Sequence, residues 1–169
     1  EANRMSKLVN EMLFLARSDA AMDMHYNFRV INFSDVAEEV VLTTEALAFE
    51  RNISLESDIV ETSQVVGDFE RLKQVVMILV ENATKYVDEG GTIQVKLASG
   101  PRRTEILTVT NTGTPIPKDR AEHIFERFYR VDESRVREKG GYGLGLSIAQ
   151  KIVEKHNGEI SLAFSDERG

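Results

Sequence analysis

The residues of this chain that could do chemistry fall in two places. Gly141, Gly143 and Gly145 punctuate the run GGYGLGLSIAQKIVEKHNG at 140–158, and glycine lets a backbone approach a ligand closely. Behind them Leu146, Ile148, Ala149, Ile152 and Val153 recur at helical spacing, so the loop opens a helix, and the free amides of a helix start bind phosphate. Such a turn also serves simply to let a helix pack closely, and the loop alone leaves both readings open. The second place is MILVENATKYV at 77–87. A turn of about 100° per residue puts Ile78, Asn82 and Lys85 together on the shoulder of an apolar stripe, with Tyr86 at its other edge. An amide oxygen beside a lysine suits a phosphate-bound Mg²⁺ ion, the amide taking the metal and the ammonium facing phosphate oxygens. The plain alternatives are a local hydrogen bond for Asn82, a solvated charge for Lys85 and a core ring for Tyr86.

Two familiar phosphate motifs are excluded. No Gly-Lys-Ser/Thr follows the glycines, as a P-loop requires, and they are preceded by the charged stretch SRVREKGG rather than by the strand of a dinucleotide fingerprint.

The elements that must position these residues are bounded by composition. A chain of 169 residues with 41% apolar content buries one solid core and carries at most a short appendage. A formal charge of −7, with lysines and arginines scattered except around 127–139, argues against nucleic acid as the main partner. The absence of cysteine excludes disulfides and thiolate zinc sites and fits a reducing compartment. There is no internal repeat and no apolar run of the roughly 18 residues that span a bilayer, so a soluble chain is expected.

Residues 4–19 lack glycine and proline and space Met5, Leu8, Met12 and Leu15 as a coiled-coil seam. A helix packed on its own domain and a surface for a partner helix both fit. Residues 1–20 are assigned to that helix, 21–27 to a linker and 28–169 to the main domain. Within the latter, a strand is expected at 28–33, and Ser34 is a candidate N-cap for a helix at 36–50. A strand at 53–59 and a brief one at 65–67 follow. Asp68 caps a helix to about Tyr86 whose core face is Leu72, Val75, Val76, Leu79 and Ala83. Strands at 92–97 and 105–110 join through Gly100-Pro101. The segment 112–140 is long enough to be a mobile cover with a short helix of its own in IPKDRAEHIFERFYR. A last helix at about 143–156 and a strand at 159–164 complete an α/β (α+β) chain. Its expected architecture is a two-layer sandwich, a mixed, largely antiparallel sheet with helices on one face.

Four stretches in this order, MILVENATKYV, VTNTGTPIP, HIFERFYRVDESR and GGYGLGLSIAQKIVEKHNG, resemble the asparagine, first glycine, phenylalanine and second glycine motifs of bacterial sensor histidine kinases. The resemblance is to the catalytic, ATP-binding domain of that family, of the Bergerat fold. It covers essentially the whole chain, because RMSKLVNEMLFLARSD is similar to the second helix of the family's dimerisation and phosphoacceptor hairpin. It implies ATP and Mg²⁺ as cofactors, with Asn82 ligating the metal, Lys85 contacting phosphate and Tyr86 lying against the adenine. Asn111 and Gly113 would meet the base, with Ile116 beside them. Arg127 and Arg130 would neutralise the γ-phosphate, a task suited to a guanidinium fork. Phe125 and Phe128 would anchor the ATP lid, and Gly141, Tyr142, Gly143, Leu144, Gly145 and Leu146 would form the phosphate loop. The implied partners are the phosphoacceptor hairpin of a homodimeric parent and the receiver domain of a response regulator. A cytoplasmic domain of a membrane-anchored parent is the implied location.

The departures from the family pattern are specific. Asn111 stands where the family usually has aspartate; its carbonyl still accepts from adenine N6, without the charge. Pro115 replaces the motif's second glycine, and Tyr142 a small or hydroxyl residue. Ile78 stands where hydrolytic relatives carry the glutamate that activates water, and isoleucine is no general base. Hydrolysis is therefore the lesser alternative to phosphotransfer, and a non-catalytic nucleotide-binding or scaffolding module is the other. His25, His123 and His156 all lack the acid-flanked helical setting of a phosphoacceptor, which is expected upstream together with a final strand beyond SDERG.

Overall fold

The computed structural model describes residues 2–20, 25–131 and 141–164. They form two compact units, one of residues 25–114 and one of residues 1–24 with 115–169. Part of the expected linker (21–24) and much of the expected cover (132–140) lie outside the described residues.

In the unit of residues 25–114 the chain runs β1 (Arg29–Asn32), α2 (Phe33–Glu50), β2 (Ser54–Ile59), β3 (Gln64–Gly67), α3 (Phe69–Tyr86), β4 (Thr92–Ser99) and β5 (Glu105–Asn111), α1 being the helix Ala2–Asp19 of the other unit. β1 and β3 pair antiparallel, Val30 opposite Val66. β2 pairs parallel with β4, Leu55 opposite Ile93, and β4 antiparallel with β5, Val95 opposite Val109. The burial of β4 follows its alternation: Ile93, Val95 and Leu97 are buried and Gln94 and Lys96 exposed. One face of the sheet therefore carries the core and the other meets water. Helices α2 and α3 cover the core face through Val36, Val40, Val76 and Val80, which is the two-layer arrangement expected. Burial of each such side chain contributes about 1.5–3 kcal/mol.

α3 is set by its cap. The Asp68 carboxylate accepts from the Arg71 amide at 3.0 Å and from the Asn27 amide at 2.7 Å. Burial pushes this carboxyl upward, but those amide bonds and the Arg71 charge outweigh it and hold the group below the ordinary aspartate range. The core face is Leu72, Val75, Val76, Val80 and Ala83. Leu79 is only half-buried, since Val80, four residues after Val76, holds the centre of the stripe.

α2 is capped by Asn32, not by Ser34: the Asn32 carbonyl accepts from the Ser34 amide at 3.3 Å and from the Ser63 amide at 2.8 Å. Ser34 lies inside the first turn, 1% exposed, its hydroxyl donating to the Val60 carbonyl at 2.6 Å. The link between β4 and β5 is a 3₁₀ turn at Pro101–Arg103.

The other unit holds α1, a single helical turn α4 (Lys118–Ala121) and α5 (Gly145–Lys155). α1 packs against α5, and Phe14 and Leu15 are its buried residues. The expected seam divides: Leu15 is buried and Leu8 half-buried, whereas Met5 and Met12 are 61% and 48% exposed. The helix expected in IPKDRAEHIFERFYR stops after one turn. Its N-cap is Pro117, which offers no side-chain bond, the backbone continues as tight i→i−3 turns from Arg120 to Tyr129, and Phe128 has φ +62°. Residues 159–164, expected as a strand, have no ladder partner among the described residues, and Leu162 and Phe164 are 37% and 43% exposed. Their alternation supplies a face but no neighbouring strand to bond.

Candidate functional site

Each unit carries its own share of the residues singled out by sequence. In the unit of residues 25–114 they gather at the C-terminal end of α3. Asn82 and Lys85 are half-buried in the last two turns, and Tyr86 is 45% exposed rather than core. Among the described residues no group bonds the Asn82 carboxamide, so a half-buried polar head is left for something other than its own fold.

The helix ends where Val87 turns to φ −65°, ψ 140°. Onto this end comes the loop after β5. Gly113, at φ +141°, has backbone so close that a Cβ would lie 2.5 Å from the Tyr86 carbonyl. That contact explains the glycine: it lets the loop from β5 close onto the last turn of α3, bringing Asn111 and Gly113 to the end of the helix that bears Asn82 and Lys85. Asn111 donates its Nδ2 to the Thr112 carbonyl at 3.0 Å and is exposed, and its side-chain oxygen can act as an acceptor.

In the other unit the glycine loop and the FERFYR segment are docked on each other. The Gly143 carbonyl accepts from the Phe128 amide at 3.0 Å. Gly143 sits at φ +74°, and a Cβ there would lie 2.7 Å from the Tyr129 carbonyl and 2.9 Å from the Phe128 carbonyl carbon. The loop ends at α5, whose N-cap Leu144 provides no side-chain bond for the first amides. A helix start of that kind is suited to an anion.

Leu144 and Leu146 divide in role. Leu144 is 1% exposed, a core residue able to serve a ligand through its backbone only, whereas Leu146 is half-buried, as are Tyr142 and Gly145. Gly141 is exposed at φ +120°, and Ile116 is half-buried.

The arginines differ from each other. Arg127 directs Nη2 at Asp19, 2.7 Å from Oδ1 and 2.6 Å from Oδ2. Arg130 has its Nη2 buried with no hydrogen-bond partner among the described residues. A buried guanidinium nitrogen without an acceptor is costly, and a phosphate oxygen would satisfy it.

Of the two expected anchors, Phe125 is half-buried and Phe128 is 56% exposed; the buried side chain of this segment is Ile124. Ile124 escaped sequence reading because a single apolar residue in irregular backbone has no period to betray it. Beside it, the hydrogen bond to Glu126 at 2.6 Å, then the charge of that carboxylate, hold the His123 imidazole above its ordinary value.

Two observations bear on cofactors. Among the described residues no group of three or more His, Cys, Asp or Glu could hold a metal, so Mg²⁺ here would depend on Asn82 and the ligand's own oxygens, its usual manner with phosphates. A cleft of about 430 Å³ lies at the opposite, N-terminal end of α3, lined by His25, Arg29, Asp68 and Arg71 among others. At 1.5 Å rise per residue it is far from Asn82, and it contains none of the expected site residues. In the unit of residues 25–114 the Asn82 amide suits a metal ion; in the other unit the start of α5, the Gly143 cradle and the Arg130 nitrogen suit phosphate oxygens.

Comparison with known proteins identifies the family. Residues 67–169 match the family described as histidine kinase-, DNA gyrase B- and HSP90-like ATPases. The chain is 38% identical over its whole length to the sensor histidine kinase YkoH of Bacillus subtilis (strain 168), covering 36% of that protein. The catalytic domain of histidine kinase ThkA superposes with a TM-score of 0.67 at 31% identity, over 77% of this chain and 82% of that one. ThkA in complex with the response regulator protein TrrA gives a TM-score of 0.71 at 28% identity, over 93% of this chain and 43% of that one. The chain spans roughly a third of the length of curated relatives, 36% of YkoH and 34% of the CusS kinase of Escherichia coli.

Proposed function

Because the chain belongs to the histidine kinase-, DNA gyrase B- and HSP90-like ATPase family, we propose that it is the ATP-binding catalytic part of a two-component sensor histidine kinase. In the whole protein it supplies the γ-phosphoryl of Mg-ATP to a histidine, from which the group passes to a response-regulator aspartate. The observation that carries the reading is the buried Nη2 of Arg130, a donor without an acceptor among the described residues, in the very segment expected to face the γ-phosphate.

Phosphoryl transfer asks a protein mainly for positioning and charge neutralisation. The chemistry a bound Mg²⁺ would supply is neutralisation of phosphate charge. Asn82 offers the ion a carbonyl oxygen, Lys85 an ammonium to phosphate, and Tyr86 an exposed ring for the adenine. The side-chain carbonyl of Asn111 accepts from the adenine amino group. Gly143 and the free amides at the start of α5 cradle phosphate, with Arg127 and Arg130 taking the terminal group.

The nucleophile is a histidine presented by the phosphoacceptor hairpin. His123 is engaged by Glu126 and His156 by the Ile152 carbonyl at 2.7 Å, so neither is placed to receive the group. Ile78 offers no general base for water at its own position on α3. The regulator is expected to be a receiver domain, as TrrA is the response regulator bound by ThkA. Among the described residues no helix is long and apolar enough to cross a membrane. Membrane anchoring and dimerisation are proposed for the parent, with α1 contributing Met5 and Met12 to the second copy.

The test is γ-labelled ATP with Mg²⁺, mixed with the chain and the separately prepared phosphoacceptor hairpin of its parent. We expect acid-labile label on the hairpin and almost no free phosphate. Steady phosphate release from the chain alone, with no label on the hairpin, would replace this reading by that of a hydrolytic ATPase.

A further inference from the structure

Asp19 and Arg127 lie 108 positions apart in sequence and are bonded in the folded chain, one guanidinium nitrogen within 2.7 Å of both carboxylate oxygens. Resting on the assignment of Arg127 to the γ-phosphate, we infer that Asp19 is a positioning residue. Its carboxylate holds Arg127 while no nucleotide is bound, and a triphosphate must displace it.

Three observations support this. First, Asp19 is the last residue of α1, where the carbonyl end of the helix disfavours an anion and favours a cation. The helix itself gives no reason for an aspartate there; the guanidinium does. Second, Asp19 lies four residues after Leu15, hence on the same face as that buried residue. The packing of α1 against α5 thus presents the carboxylate from a fixed support. Third, the two arginines of the FERFYR segment are in opposite states. Arg130 has a buried nitrogen with no partner among the described residues, and Arg127 is engaged by a carboxylate. If neutralising phosphate were shared equally between them, both would be waiting; only one is.

The chemistry of displacement is simple. A carboxylate and a terminal phosphate are both oxygen anions that take the same guanidinium fork. Near Arg127 the two repel each other, so the phosphate binds against the pair, not on top of it. A diphosphate has no terminal group to reach Arg127 and leaves the pair alone. Asp19 therefore weakens ATP relative to ADP and ties the capture of ATP to release of the end of α1.

Both side chains are partly exposed, 47% for Asp19 and 38% for Arg127, and the effect is accordingly modest. Calorimetric titration of the chain with a non-hydrolysable ATP analogue and with ADP, each with Mg²⁺, is the test. Parent, Asp19→Asn, Arg127→Ala and the double variant are compared. We expect Asp19→Asn to tighten the analogue roughly two- to fivefold, leave ADP unchanged, and do nothing in the Arg127→Ala background. An unchanged or weaker analogue affinity, equal tightening of ADP, or the same gain without Arg127 would each overturn the inference. If Arg127→Ala leaves the analogue's affinity intact, the assignment of Arg127 to the γ-phosphate fails as well. A loss in Arg127→Ala beside an inert Asp19→Asn sinks the Asp19 role alone.

Discussion

Asn82→Ala abolishes magnesium-dependent nucleotide binding and leaves the fold as stable as before. The two halves of this expectation come from one observation. No group among the described residues bonds the Asn82 carboxamide, so its removal breaks no bond among them. Alanine is also the better helix former by about 0.5 kcal/mol, and the melting temperature should hold or rise slightly.

If Asn82 holds the metal as proposed, the ligand loses the carbonyl that takes it. Removing even an outer-shell partner costs up to about a hundredfold in metal affinity, and a direct ligand should cost at least that. Titration with and without Mg²⁺, beside a thermal melt, checks both halves. A variant that melts early would mean that Asn82 is structural; one that binds normally would remove it from the site.

Gly143→Ala should cost more than a methyl group suggests. The residue sits at φ +74°, where an L side chain is strained by about 1–2 kcal/mol. The added Cβ would also meet backbone atoms of Phe128 and Tyr129 at 2.7–2.9 Å. Backbone cannot swing aside as a flexible side chain does, so the glycine loop and the FERFYR segment must separate and the bond from Phe128 to the Gly143 carbonyl is lost. Since each 1.4 kcal/mol is tenfold in affinity, ATP binding should fall by roughly tenfold or more.

Gly90→Ala is the matched control. Its φ is +70°, yet a Cβ there meets only Asn52 Nδ2 at 3.9 Å. It should lower stability through strain alone and leave nucleotide affinity unchanged. Equal affinity losses in the two variants would show that strain, not the cradle, is what the Gly143 substitution reports.

The regular parts of the fold were legible because one signal dominates each. Asp68 followed by a long apolar stripe can only open α3, and the alternation of β4 reproduces its buried and exposed faces one by one. The first turn of α2 was misread because Asn32 and Ser34 are both good caps. The choice fell to tertiary bonds, with the Ser63 amide engaging Asn32 and the Val60 carbonyl engaging Ser34. Residues 159–164 alternate as a strand should, but a strand also requires a neighbour, and alternation says nothing about neighbours. Segment 116–130 carries helical composition, yet after Ala121 its amides bond as i→i−3 turns and Phe128 takes a positive φ, an outcome that composition does not encode.

Of the candidate site, the residue types were readable and their states were not. The four motif stretches brought out Asn82, Lys85, Arg127, Arg130 and the glycines. Their order could not distinguish the engaged Arg127 from the orphaned Arg130, because Asp19 is far away in sequence. Nor could it separate the core side chain of Leu144 from the half-buried Leu146 two residues on.

Uptake of ATP by this chain through a magnesium ion is the proposed first event. It is tested most directly by calorimetric titration of the chain with a non-hydrolysable ATP analogue, first with Mg²⁺ and then with the metal chelated. We expect saturable binding of one nucleotide per chain that is strongly weakened by chelation. Absence of binding with Mg²⁺ present, or the same affinity without it, would contradict it.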